Sequence, residues 1–270
     1  MKRVLLAAAV LFAGRGFAAA QEPAAAFIER ARHATEKYQD QQAAIIDGYR
    51  RIGADFPGMG EHWIRIELLF DGKIDAEHPE FLTYISVAGK AKLLGVAYAL
   101  PLLAGETPPD LPAKDAWHDH FRTVEDETAL PHRHLPGSAE DEPRLAMLHA
   151  WIWSPNPGGV FAADNWAIPY LRLGLQPPAH PAVSIALALS LLTGGVEYFS
   201  TTVESIASPK AKQLAAIREA FARSRASVEE SVRSGDMSRL GDVWNTLWKS
   251  VERSIRREAR DPLRSVLPSW

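Results

Sequence analysis

Histidines are concentrated in one part of the sequence. Five of the nine lie between Trp117 and Trp153, namely His118, His120, His132, His134 and His149. Imidazole is the commonest protein ligand for transition metals. Alternate side chains of a β-strand point to the same face, so His118 and His120 would present both rings together if they lie on a strand. The pattern predicts a transition-metal site.

Two more histidines, in separate segments of the sequence, are also predicted to bind the metal. His149 lies in the apolar run Leu145–Trp153. His62 follows the glycine-rich stretch Gly53–Gly60, which is predicted to be a tight loop. A buried imidazole without a hydrogen-bond partner costs about 1–3 kcal/mol, and a backbone carbonyl would satisfy a single one. Several histidines in separate elements favour a shared ion instead. The predicted ligands are His62, His118, His120 and His149.

A short stretch resembles a known metal-binding motif. His118-Asp119-His120 followed by Glu125 is similar to the first motif of the cupin family, in which a His-x-His pair precedes a glutamate. A later histidine from another strand, here His149, completes the set in that family. The resemblance implies Glu125 as a fourth ligand. We infer neither the cupin fold nor a cupin activity for this chain, because its long C-terminal part is not typical of a cupin barrel.

The second histidine pair has a different setting. His132 and His134 lie between Pro131 and Pro136 in a polar stretch. Composition favours a solvated loop there. The alternative is a loop that passes metal to the site or covers it.

The chain restricts which metals fit. It has no cysteine, so a thiolate site is excluded. Histidine and carboxylate ligands suit zinc, copper, nickel, iron and manganese. Met59 and Met147 lie near His62 and His149, and thioether sulfur suits copper, although methionine in a core is usually packing. Copper and zinc are the leading expectations, with iron next.

Three functions fit these residues. The first is an exported protein that handles or stores metal. The second is a metalloenzyme with three histidine ligands and an open position, acting on a small organic molecule beside tryptophans such as Trp63, Trp117, Trp151, Trp153 and Trp166. The third is a structural or interaction protein without metal.

Several other classes are disfavoured by the sequence. A net charge of -3 does not indicate the basic surface that nucleic-acid binding requires. No Gly-x-Ser-x-Gly motif is present, and the Gly53–Gly60 stretch lacks the Lys-Ser/Thr ending of a P-loop.

The predicted elements give an α+β fold. Periodicity predicts a helix over 21–49 in the N-terminal segment 21–52. The segment 53–175 would hold an antiparallel β-rich middle, with a hairpin at 81–100, a short strand at 117–123 and a central strand at 145–153. The stretch 160–175 has no clear period and is predicted to be a loop. About three helices would fill 176–270, one over 181–199 and the next starting at Ser208-Pro209. We expect 21–270 to form one domain with terminal helices on one face of the sheet.

The first twenty residues have the pattern of a secretory signal peptide. Lys2 and Arg3 precede an apolar run over 4–13 that is too short to span a bilayer, and Ala18-Ala19-Ala20 provides small residues for cleavage. The sequence predicts a periplasmic or secreted protein without a membrane anchor in its mature form.

Mature protein recovered from the cell envelope should therefore begin near Gln21. Intact-mass measurement tests this expectation. Recovery from the cytoplasm with Met1 retained would contradict it.

Overall fold

A sheet in the middle of the chain separates N-terminal from C-terminal helices. The computed structural model describes residues 23–109, 113, 116–120, 143–260 and 263. Six strands form one antiparallel sheet. The predicted α+β class is thereby confirmed. The predicted signal peptide lies outside the described residues.

The strands follow the order β1-β2-β3-β4-β6-β5 across the sheet. Their bounds are β1 (Arg50–Phe56), β2 (Gly60–Ile64), β3 (Phe81–Val87), β4 (Lys90–Leu102), β5 (His118–His120) and β6 (Arg144–Ala150). Each hydrogen-bonded pair is antiparallel.

Two helices precede the strands in sequence, one lies between β2 and β3, and the remaining described helices follow the strands. In chain order the helices are α1 (Ala24–Thr35), α2 (Gln41–Ile46), α3 (Ile66–Leu69), α4 (Ile168–Arg172), α5 (Val183–Ser190), α6 (Gly195–Ala207), α7 (Ala211–Ser234) and α8 (Leu240–Ser254). Short 3-10 turns occupy Glu36–Gln39 and Arg257–Ala259.

The predicted hairpin and central strand are both present. β3 and β4 are joined by Ala88 and Gly89, which both have positive φ (49° and 76°), as a tight turn between twisted strands requires. β6 lies between β4 and β5, so it is not an edge strand, and it ends at Ala150 rather than at the predicted Trp153. Its apolar residues on both faces explain why its position could be predicted.

Two N-terminal predictions were wrong. The helix expected over 21–49 is interrupted by the 3-10 turn, and Asp40 starts α2 by accepting a hydrogen bond from the Gln42 N–H at 3.0 Å. The stretch Gly53–Gly60, expected to be a loop, is largely strand. β1 continues through it to Phe56, and a register shift between Ile52 and Asp55 accommodates Gly53.

Three C-terminal predictions also need correction. The helix expected over 181–199 is two helices, α5 and α6, separated at Gly194, where φ is 99°. Ser208, expected to start α7, instead ends α6 with a φ of 42°, and Lys210 precedes α7. The expected loop at 160–175 contains α4.

The helical part has its own buried cluster. Phe199, Phe221, Trp244 and Trp248 lie in it, and the Trp244 and Trp248 rings stack with centroids 5.7 Å apart. No single helix in the described ranges is long and apolar enough to cross a membrane. The α5–α6 pair passes a combined test of length and composition, but its two halves bend by 99°.

The two faces of the sheet carry different clusters. We call the one that includes Phe27, Tyr84, Tyr98 and Leu148 the outer cluster. α1 packs on it, with the rings of Phe27 and Tyr98 at 5.0 Å. The other face carries Ile64, Phe81, Ala97, Ala99 and Met147, which we call the inner cluster.

A buried carboxyl group lies at the start of β3. Glu80 is 1% exposed, and its Oε2 accepts a hydrogen bond from the Ala99 N–H at 3.0 Å. Burial raises the pKa of Glu80 to about 9, against a smaller lowering by backbone hydrogen bonds. The group is therefore protonated at neutral pH.

This pKa predicts a specific pH dependence of stability. The reference pKa of a glutamate carboxyl group is 4.5. The stabilisation that the protonated Glu80 gives to the folded state is therefore complete below that pH and is lost as the pH rises towards 9. Glu80→Gln keeps an oxygen for the Ala99 N–H and cannot ionise. We expect its free energy of unfolding, relative to the parent, to increase between pH 5 and pH 9 in urea titrations. A constant difference across that range would contradict the assignment.

Candidate functional site

His62 is placed on the inner face by β2. It pairs with Thr83 of β3, and its side chain is buried. Its ring contacts Phe56 and Phe81 edge-on, with centroids at 5.4 and 6.2 Å. Phe81 belongs to the inner cluster, so His62 points into the same interior.

His149 enters the same interior from β6. It pairs with Ala97 of β4, which belongs to the inner cluster. Its Nδ1 lies 2.6 Å from the Ala163 carbonyl oxygen. A carbonyl only accepts, so Nδ1 carries the proton. In the neutral ring, Nε2 then holds the lone pair.

His118 reaches this face from β5. Its strand partner is Met147, two residues before His149 and on the same face. Its Nδ1 lies 3.3 Å from the Ala116 carbonyl oxygen, a longer contact than that of His149. His118 and His149 are therefore neighbours on adjacent strands.

Curvature of the sheet brings His62 to His149. Three strand-to-strand steps separate β2 from β6. In a flat sheet the distance between these two strands would be about 14 Å. The two ring centroids are only 5.6 Å apart. The sheet must therefore curl so that its inner face is concave.

The ring spacing matches that of imidazoles around one ion. The centroids of His118 and His149 are 5.2 Å apart, and those of His62 and His149 are 5.6 Å apart. Two imidazoles that bind one tetrahedral zinc ion through nitrogens at about 2.0–2.1 Å have ring centres roughly 5 Å apart. Within the described ranges, however, no group of three or more His, Cys, Asp or Glu residues is arranged to hold a metal ion.

Apolar residues lie on both sides of the three rings. The inner cluster, with Met147, lies along the sheet in one direction. A second buried group lies in the other direction, and we call it the end cluster. It consists of Phe56, Met59, Ile85, Leu94, Trp151 and Ile168. Both methionines noted in the sequence are thus buried core residues, and Met147 is the strand partner of His118.

Most of the tryptophans do not surround the site. Trp151 packs against the His149 ring with centroids at 5.6 Å, and its Nε1 donates to the Ala162 carbonyl at 2.6 Å. Trp63, Trp117 and Trp153 instead pack against the outer cluster. The predicted tryptophan-lined pocket was wrong for these three.

The remaining predicted ligands are less fully placed. His120 takes a strand position opposite Leu145, and its side chain lies outside the described residues. Glu125, His132 and His134 also lie outside them. The site that the structure brings together consists of His62, His118 and His149.

An ion pair that sequence reasoning missed fixes the strand that carries His118. Arg144 Nε donates to Asp119 Oδ1 at 2.9 Å, and Nη2 donates to the Glu106 carbonyl at 2.7 Å. The Arg144 side chain is 2% exposed. Asp119 lies between His118 and His120, so strand alternation directs it to the opposite face. Strand alternation was thus the one feature of the sequence from which the face of Asp119 could have been predicted.

Comparison with known proteins adds no family. No family model matches the chain, and neither the curated proteins nor the solved structures contain a significant match.

Removing Asp119 should be costly because Arg144 would stay buried without its counter-ion. We expect Asp119→Ala to lower the free energy of unfolding by about 3 kcal/mol, measured by urea denaturation. Glu204→Ala is the matched control, since it breaks an exposed pair with Arg218 and should cost less than about 1 kcal/mol. Equal losses in the two variants would show that the Arg144 pair does not hold β5.

Proposed function

We propose that the chain is an exported protein that binds one transition-metal ion, copper or zinc, through His62, His118 and His149. The observation that carries the proposal is the meeting of three imidazole rings from three different strands. Their centroid spacings of 5.2 and 5.6 Å are those of imidazoles sharing an ion. Export is proposed from the signal-peptide pattern alone.

The hydrogen bonds of the rings support the same interpretation. Histidines that bind a metal usually donate their second ring N–H to a backbone carbonyl or carboxylate. His149 and His118 each have Nδ1 near a backbone carbonyl, at 2.6 and 3.3 Å. In each neutral ring we propose Nε2 as the metal-binding nitrogen.

Metal binding requires the rings to turn. No metal-holding group is formed by the described side chains as they stand, although the ring centres are suitably spaced. Rotation about the bond that joins the ring to its Cβ is soft for histidine. His118, whose carbonyl contact is the longer one, is the ring we expect to move most.

The surroundings leave the choice between copper and zinc open to experiment. Met147 is the strand partner of His118 and would offer copper a thioether. Three histidines and an oxygen ligand suit zinc equally. His120 and Glu125 were also predicted as ligands, and the side chains of both lie outside the described residues. Iron is the third choice.

A structural protein without metal is the competing function. One observation favours it, since the His149–Ala163 hydrogen bond alone would satisfy a buried core histidine. The two functions differ in what added metal does. Only a ligand set couples metal concentration to stability.

Single substitutions of the three histidines should abolish this coupling. At a hundredfold excess of metal over Kd, binding stabilises the folded state by about 2.7 kcal/mol, which would raise Tm by about 5–10 °C. We expect His62→Ala, His118→Ala and His149→Ala to lose both the Tm rise and tight binding. Thermal unfolding with and without Cu(II) or Zn(II), beside calorimetric titration of untagged protein, measures this.

The controls are histidines outside the cluster. His78→Ala removes an exposed ring that contacts Asp75. His132→Ala and His134→Ala test the polar loop, where ordering costs about 1–2 kcal/mol per residue. All three variants should bind metal like the parent. If they lose binding while the cluster variants keep it, the site lies elsewhere; if no variant differs and metal never raises Tm, the structural function is correct.

A further inference from the structure

We infer that the histidine centre keeps one open coordination position, and that Thr83 holds the small ligand bound there. The ligand class is water, hydroxide or a small anion with an oxygen or nitrogen donor. The inference rests on the proposed metal site. It also makes that site an open centre rather than a closed storage site.

Thr83 faces the same interior as His62. The two residues are direct partners between β3 and β2, where opposite Cβ atoms lie about 4.5–5.5 Å apart. Phe81, two residues earlier on β3, contacts the His62 ring. Residues two apart on a strand share a face, so the Thr83 side chain also points inward.

The Thr83 hydroxyl is buried and has no partner in the part of the chain that the structure describes. The residue is 1% exposed, and Oγ1 makes no hydrogen bond there. Leaving a buried hydroxyl unsatisfied is costly, so the group calls for an explanation. A ligand in the concave interior would satisfy it.

Apart from His62, the strand partners of Thr83 on this face offer it no polar side chain. Its partner on β4 is Gly95, which has no side chain, and Ala97 two residues later is apolar. His62 occupies the other side. A polar ligand near Thr83 therefore lies beside an imidazole and otherwise among apolar groups.

This arrangement has the chemistry of an open metal centre. Three protein ligands around an ion leave a fourth position for water or substrate. A hydroxyl can accept from a bound water or donate to a bound anion. Thr83 would thus orient the exchangeable ligand without touching the metal, which makes it a positioning residue.

Azide binding to the copper-loaded protein tests the inference. Azide bound to Cu(II) gives a charge-transfer absorption band, so its affinity can be measured by titration. Thr83→Val keeps the shape and removes the donor, and we expect azide to bind about tenfold to a hundredfold more weakly. Thr83→Ser should restore parent-like affinity. Copper affinity should stay within about threefold in both variants.

Thr202→Val is the matched control. Thr202 is also buried, but its hydroxyl bonds the Tyr198 carbonyl of its own helix, α6, at 2.9 Å. It should leave azide affinity unchanged. Circular dichroism and Tm confirm that each variant is folded.

The outcomes separate this inference from the proposed function. Copper binding without an azide band means a closed site, which overturns the inference and leaves the metal function standing. Unchanged azide affinity in Thr83→Val also overturns it, since the hydroxyl then does not hold the ligand. Failure of the parent to bind copper or zinc overturns both.

Discussion

The close passage of the end of β6 over β4 determines the geometry of the histidine cluster. A Cβ atom on Gly95 would lie 2.4 Å from the Ala150 carbonyl oxygen, so only glycine permits this approach. Just beyond it, the Trp153 N–H donates to the Leu94 carbonyl at 2.9 Å. This approach fixes the end of β6 against β4, and the His149 ring lies 5.6 Å from that of His62. In a flatter sheet the same residues would be too far apart to share a ligand.

One loop holds both sides of the cluster in place. It follows β6, and its Ala163 carbonyl accepts from His149. Two residues later, the Asn165 N–H donates to the Gly58 carbonyl at 2.7 Å, in the turn before His62. Movement of this loop would therefore disturb His62 and His149 together. The Arg172–Asp55 ion pair extends the connection from β1 to helix α4.

Sequence reasoning was strongest where one local pattern decided the structure. Alternation and apolar character identified the hairpin at 81–100 and the central strand around His149. It was weaker where glycine was involved. Gly53 and Gly60 indicated a loop, yet Gly60 allows β2 to approach β3: a Cβ there would lie 2.4 Å from the Tyr84 carbonyl. Glycine marks both turns and close backbone contacts, and one sequence does not distinguish them.

The meeting of His62 with His149 was a hypothesis that no local sequence pattern could establish. Their contact depends on the pairing of four strands and on the close approach of β6 to β4 at Gly95, which are tertiary properties. The role of Thr83 was not foreseen, because a threonine in a strand is ordinary until its register and burial are known. The Arg144–Asp119 ion pair was likewise not foreseen from the sequence. Strand alternation placed Asp119 opposite the histidines, but nothing local linked it to an arginine 25 residues later.

The central claim is that His62, His118 and His149 share one ion. Crystals grown with copper or zinc, with diffraction recorded on both sides of the metal absorption edge, test it most directly. We predict an anomalous peak among the three rings, with nitrogens at about 2.0–2.1 Å and His118 turned from its present orientation. A peak only at other histidines, or ordered crystals with the three rings unchanged and no peak between them, would contradict the claim.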